Sequence, residues 1–202
     1  MGPTKMNRER FEKQLAFILE ADKEKNILRQ THLTGYSRRE NDAEHAWHMA
    51  MMIYLLREYS NEEMDVAKAM MMALIHDIVE IDAGDTYAYD TEGLQTQKER
   101  EQRAAERIFG MLPEDQYNEL LSLFEEFAAC ESAEARFAKA MDNFQPLLLN
   151  HANGGMDWRT HKVTKTKVVG RQNTTALGSE KIWEYTEEII NENVDKGNIK
   201  NE

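Results

Sequence analysis

The chain has 202 residues, 41% of them hydrophobic, with a net charge of −12 and a single cysteine, Cys130. That length suits one domain with a sizeable core, and so acidic a chain is a poor ligand for long nucleic acids, whose phosphates must be neutralised by lysine and arginine. One cysteine rules out an intrachain disulfide framework and fits a reducing, cytoplasmic setting; the short, charge-interrupted apolar runs predict neither a signal peptide nor a membrane span.

Taken in order, the elements predicted are helices and little else. Residues 1–7 are expected to be disordered or tag-derived, 8–195 to form one domain, and 196–202 to be flexible. Phe11, Leu15, Ile18 and Leu19 mark a first amphipathic helix. A polar link through Gly35-Tyr36-Ser37 leads to a second helix that begins near Asp42, a good N-cap residue. The third ends near Ile81, and residues 82–93, rich in Gly, Asp, Thr and Tyr, form a loop placed to cover a site. Helices over 95–110 and 113–129 follow, then one over 132–150 that Pro146 interrupts or bends. A Gly-Gly loop over 151–159 precedes helices over 162–172 and 178–195. No stretch sustains the period-2 alternation of a strand. The twelve methionines divide between core packing, assigned to Met49, Met52 and Met70, and contact with a second copy for the others of the Met51-Met52 and Met70-Met71-Met72 runs.

Three helices share one anomaly. In the third, Val66, Ala69, Met70, Ala73 and Leu74 define an apolar stripe whose continuation falls on His76, Asp77 and Glu80. In the second, the face formed by Met49, Met52, Ile53 and Leu56 extends back to His45. In the 132–150 helix, Asp142 lies on the stripe of Ala135, Ala138, Met141, Gln145, Leu148 and Leu149. Each taken alone has an ordinary explanation: a hydrogen-bonded core histidine, or an aspartate paired with an arginine such as Arg136. Buried carboxylates need a cation or a dense hydrogen-bond network. Imidazole and carboxylate together are the donor set of divalent metals, and closed structural zinc sites draw on cysteine instead.

The order His45, His76-Asp77, Asp142 resembles the H…HD…D signature of HD-domain metal-dependent phosphohydrolases. The strings RRENDAEHAWH and LIHDIVEIDAGDTYAYD extend the resemblance to the 5'-deoxynucleotidase branch that includes HD domain-containing protein 2. It implies an all-α, single-domain HD-type helical bundle, a homodimer, and one divalent cation per chain (Mn, Co, Mg, Zn or Fe) held by His45, His76, Asp77 and Asp142. It also implies that Glu80 orients or deprotonates the attacking water, that Asp85 lies near the sugar and scissile phosphate, and that Arg29, with Arg38 as a second candidate, holds the phosphate. The expected reaction is removal of the 5'-phosphate from a small (deoxy)nucleoside monophosphate. One departure stands out: Gln30 follows Arg29 where the bacterial 5'-deoxynucleotidases carry tryptophan. Residues 78–150 contain no histidine, which disfavours the two-metal HD oxygenases and cyclic-dinucleotide phosphodiesterases. A guanosine-tetraphosphate hydrolase and a non-catalytic metal-binding interaction protein are the alternatives. Positive charge for a phosphate could also come from Lys162, Lys165, Lys167 and Arg171.

Overall fold

The computed structural model describes residues 7–84 and 93–202. Asn7 caps α1 (Arg8–Ala21), its side chain accepting from the Arg10 amide. The apolar set expected to pin this helix faces outward: Ile18 and Leu19 are 61% and 72% exposed. Instead α1 docks through Phe17, whose ring packs on Phe109, and through Arg10–Asp115 and Glu20–Arg107 ion pairs of 2.6 and 2.7 Å.

A 3-10 turn (Asp22–Asn26) then leads into the one feature for which periodicity gave no sign, a small antiparallel hairpin of β1 (Leu28–His32) and β2 (Arg39–Asn41). The segment read as a polar link is its turn, with Gly35 and Tyr36 at positive φ. A strand pair this short lacks the four or more alternating residues that make a strand legible. Its pairing depends on what lies beneath it: the Asp157 carboxylate accepts from the His32 amide at 3.1 Å and from the Tyr36 hydroxyl at 3.0 Å.

The helix α2 (Asp42–Leu56) starts where expected, but its cap is Asn41, which forms a reciprocal capping box with Glu44. Asp42 is therefore released from capping and is fully buried. α2 packs on α3 (Val66–Ile75), and both pack on the central α7 (Ala133–Ala152). Their shared core holds Met49, Ile53, Met72, Phe137 and Met141, all of them fully buried. Met72 belongs to this core and so is not available to a second copy, whereas Leu74, placed on the inward stripe by periodicity, is 40% exposed.

α3 ends at Ile75, not near Ile81. Residues 76–79 form tight turns and α4 (Glu80–Ala83) follows, with bonds such as Glu80 N–H to Asp77 O (2.8 Å) and Ile81 N–H to Ile78 O closing three residues back. This tightening divides the segment by side. Ile75, Ile78 and Val79 enter a second core with Ile108 and Phe109 of α5 (Gly93–Phe109) and Phe124 of α6 (Glu114–Ala129), which leaves His76, Asp77 and Glu80 for the opposite side. Asp82 and Ala83 are helical; the rest of the expected covering loop lies largely outside the described residues.

Pro146 does not interrupt α7, which runs continuously to Ala152. The loop expected over 151–159 contains α8 (Met156–Thr160), and the helix expected over 162–172 is the shorter α9 (Lys165–Arg171). α10 (Thr175–Gly178) and α11 (Glu180–Asp195) complete the order. Of residues 196–202, Ile199 is buried, and Lys200 bonds by its backbone to Val163 and Lys165. Among the described residues the architecture is all-α apart from the hairpin. Among the described residues, no helix is long and apolar enough to cross a membrane.

Candidate metal centre and substrate cavity

His45 comes from the first turns of α2, His76 and Asp77 from the turn after α3, and Asp142 from the middle of α7. The three helices that pack against one another thus bring these side chains to one point. Ligand atoms of His45, His76 and Asp142 all lie within 4.8 Å of one another. The Nε2 atom of His45 is 3.3 Å from Asp142 Oδ1 and 4.0 Å from Asp77 Oδ2, and that of His76 is 3.1 Å from Asp77 Oδ2 and 3.9 Å from Asp142 Oδ1. Asp77 Oδ2 also accepts from Arg29 Nη1 at 2.6 Å.

The donor set fits a divalent cation. His76 Nδ1 is anchored on the Ala73 carbonyl at 2.8 Å, while its Nε2 is buried and aims at the cluster, 3.1 Å from Asp77 Oδ2. A buried imidazole nitrogen in this state is the arrangement of a ligating histidine whose other nitrogen is fixed by the backbone. Burial also pushes the His45 imidazole down to about 4, so it is neutral and able to donate a lone pair at neutral pH. Burial alone would raise both aspartates, but His76 and Arg29 hold Asp77 below the usual carboxylate range, and Lys139 and Arg171 hold Asp142 well below it.

His76, Asp77 and Asp142 of the cluster line a cavity of about 390 Å³, a size typical of small-molecule sites; His45 is fully buried and not part of its lining. Arg29, Glu80 and Lys139 line it as well, as do Trp158, His161, Val168 and Gln172. Glu80, 6% exposed, begins α4 one turn beyond His76. Gln30, at the position of the departure noted above, also lines the cavity.

Other expected residues fall elsewhere. Arg38 does not line the cavity, because both its terminal nitrogens are engaged by the Glu44 carboxylate at 2.8 and 2.5 Å. Asp85 lies outside the described residues. Arg136 pairs with Glu62 rather than with Asp142. Of the basic group in the 160s, Arg171 alone among its four members lines the cavity, and its guanidinium is 3.3 Å from Asp142.

Several residues escaped sequence reasoning. Lys139 bonds Asp142 Oδ2 at 2.9 Å; its place three residues before Asp142 on the same helix was the available signal. Asp42 accepts from Arg29 at 3.2 Å. Glu24, pushed by burial and the nearby Asp77 up to about 8, and Glu40, pushed by burial up to about 7, add two more buried carboxyl groups. Neither lies on an apolar helical stripe, so no periodicity marked them.

Helices converging on a His-His-Asp-Asp cluster define the HD class of helical metal proteins. The profile of the HD domain family matches residues 21–183, and the chain belongs to that family. It is 46% identical to a predicted metal-dependent phosphohydrolase from Magnetospirillum magnetotacticum MS-1 of known crystal structure, superposing with a TM-score of 0.91 over 96% of this chain and 98% of that one. A conserved hypothetical protein from Pyrococcus furiosus is 25% identical, with a TM-score of 0.53 over 79% of this chain and 94% of its own. Among curated proteins, "5'-deoxynucleotidase HDDC2" of Homo sapiens is 32% identical over 111 residues, 55% of this chain and 53% of that protein, and its Bos taurus counterpart is 31% identical over 109 residues, 54% and 52%. The chain spans about half the length of the curated relatives it matches.

Proposed function

We propose that the chain is a metal-dependent phosphohydrolase that removes the 5'-phosphate from nucleoside monophosphates, deoxynucleotides in particular. The observation that carries this reading is the convergence of His45, His76 and Asp142 beside a cavity sized for a nucleotide, which His76 and Asp142 line. Membership of the HD domain family and the likeness to proteins named 5'-deoxynucleotidase support it.

His45, His76, Asp77 and Asp142 would hold one divalent ion, which supplies Lewis-acid polarisation of a phosphoryl oxygen and lowers the pKa of a nearby water. The chain's own groups do the rest. Glu80, buried on the same wall, accepts the proton of the attacking water and orients it, the task of a carboxylate placed beside but outside the ligand set. Arg29, Lys139 and Arg171 line the cavity and offset the charge of a phosphate dianion; guanidinium groups add a planar pair of donors suited to two phosphate oxygens. Trp158, 4% exposed and on the cavity wall, offers an apolar surface to the nucleoside.

The test is hydrolysis of deoxy- and ribonucleoside 5'-monophosphates, 3'-monophosphates, a nucleoside diphosphate and guanosine tetraphosphate, each with Mn, Co, Mg, Zn and Fe. Release of phosphate from 5'-monophosphates above the others is expected. Equal rates on 3'-phosphates would refute 5'-selectivity, and equal rates on ribonucleotides would remove the deoxy preference. Turnover of guanosine tetraphosphate alone would reassign the substrate, and inactivity throughout would leave a metal-binding interaction protein.

A further inference from the structure

Gln145 is a polar side chain on the apolar stripe of α7, with 0% exposure, and hydrolysis as outlined makes no use of it. Its three polar contacts are all within hydrogen-bonding range. Oε1 lies 3.0 Å from His45 Nδ1, and Nε2 lies 2.7 Å from Glu40 Oε1 and 3.1 Å from His48 Nδ1. Glu40 is 1% exposed, and its second oxygen stands 3.8 Å from the same His45 nitrogen.

A carboxamide has two donors on nitrogen and only acceptors on oxygen. The nitrogen here faces a carboxyl oxygen of Glu40 and an imidazole nitrogen of His48, both able to accept, so the amide is oriented by two partners at once. Its oxygen is thereby turned toward His45, and an amide oxygen can only accept. We propose that Gln145 is a positioning residue that holds the His45 proton on Nδ1, so that the Nε2 lone pair faces Asp142, Asp77 and His76. The backbone carbonyl of Ala73 plays the same part for His76; His45, near the start of its helix, takes the equivalent acceptor from a different helix. With the amide turned over, Nε2 of Gln145 would donate to His45 Nδ1 and drive the imidazole proton to Nε2, against Asp142 at 3.3 Å, where it would block coordination. The orientation of one buried amide therefore decides whether the cluster is competent before any ion arrives.

The inference rests on the metal-centre reading, yet its first test needs neither metal nor substrate. Long-range proton–nitrogen correlation spectra of the full chain in EDTA should show His45 as the Nδ1–H tautomer, the less common one in free imidazoles; an Nε2–H signal would overturn the proposal. The second test measures the Kd of Mn²⁺ for the metal-free wild type, Gln145→Met and Gln145→Glu by calorimetry, with melting temperatures in EDTA alongside. Both variants lose the amide donor to His48, but in Gln145→Glu a protonated carboxyl group can still donate to Glu40 and accept from His45. Gln145→Met should bind the ion 10–100-fold more weakly, the usual effect of losing a ligand-orienting partner, with Gln145→Glu within about 3-fold of wild type. Wild-type affinity in Gln145→Met, or equal weakening in both variants, would show that the side chain only fills space. Failure of the nucleotidase reading would appear as inactivity with tautomer and Kd unchanged.

Discussion

Asp77 and Glu80 are three residues apart in one turn, both buried, and the chemistry asks different things of them. Asp77 is a candidate ligand held by Arg29, whereas Glu80 lines the cavity beside the cluster. Asp77→Ala should therefore abolish both metal retention and phosphatase activity, while Glu80→Ala should keep the metal and lower kcat by about 10²-fold or more. Metal content measured after gel filtration, with kcat on the same samples, checks this; equal metal loss in the two variants would make Glu80 a ligand. Glu24 makes a separate prediction at this scale. Its folded-state pKa is raised to about 8, so between the ordinary carboxylate value and about 8 the folded chain holds a proton that the unfolded chain releases. Stability from this group is thus complete at acid pH and falls as pH rises through that window, by about 1.4 kcal/mol per pH unit at most. Glu24→Gln keeps the neutral form at every pH, so in EDTA its advantage over wild type in urea midpoint should grow from pH 5 to pH 8. A constant difference would mean that Glu24 is ionised in the folded chain.

Among the elements, the hairpin is the least expected and carries Arg29, Gln30 and Thr31 into the cavity wall. It has few apolar contacts of its own, and Leu28 at its start is 56% exposed. Asp157 of α8 anchors it: one oxygen takes the His32 amide, and the other lies 2.8 Å from His32 Nδ1 and 3.0 Å from the Tyr36 hydroxyl. The His32 and Tyr36 rings stack with centroids 3.9 Å apart. Asp157→Ala leaves these donors without their acceptor and should cost about 1–3 kcal/mol in urea unfolding. Because Arg29 rides on the same strand, KM for a nucleoside monophosphate should rise more than kcat falls. Unchanged KM with lowered stability would separate the hairpin from substrate binding.

For the molecule as a whole, the cluster sits where α2, α3 and α7 meet, so filling it should tighten the entire bundle. We expect one tightly held divalent ion per chain, by metal analysis of the purified protein, because residues 78–150 contain no histidine to serve a second ion. EDTA should lower the melting temperature, and ion at 100 times its Kd should restore about 2.7 kcal/mol. Two tightly held ions in each chain would overturn the stoichiometry.

Two kinds of information can be separated here. The helical class, the start of α2, the bounds of α6 to within a residue, and the inward placement of His45, His76, Asp77 and Asp142 were legible from local pattern. Each depends on residues three or four apart on one helix, where burial of the apolar face leaves a polar intruder conspicuous. Tertiary structure decided the rest. It turned α1 so that its expected apolar face points outward, with Phe17 on Phe109 and ion pairs to α5 and α6 on the side that docks. It assigned Arg38 to Glu44, and it gathered Lys139 and Arg171 on Asp142. It also brought Glu24, Glu40 and Gln145 to the centre, where periodicity had marked only the last of them as inward and none as a partner of the cluster. A residue's partner across 100 positions of chain, as for His45 and Gln145, is set by how helices pack, and a one-dimensional pattern encodes only which face is turned inward.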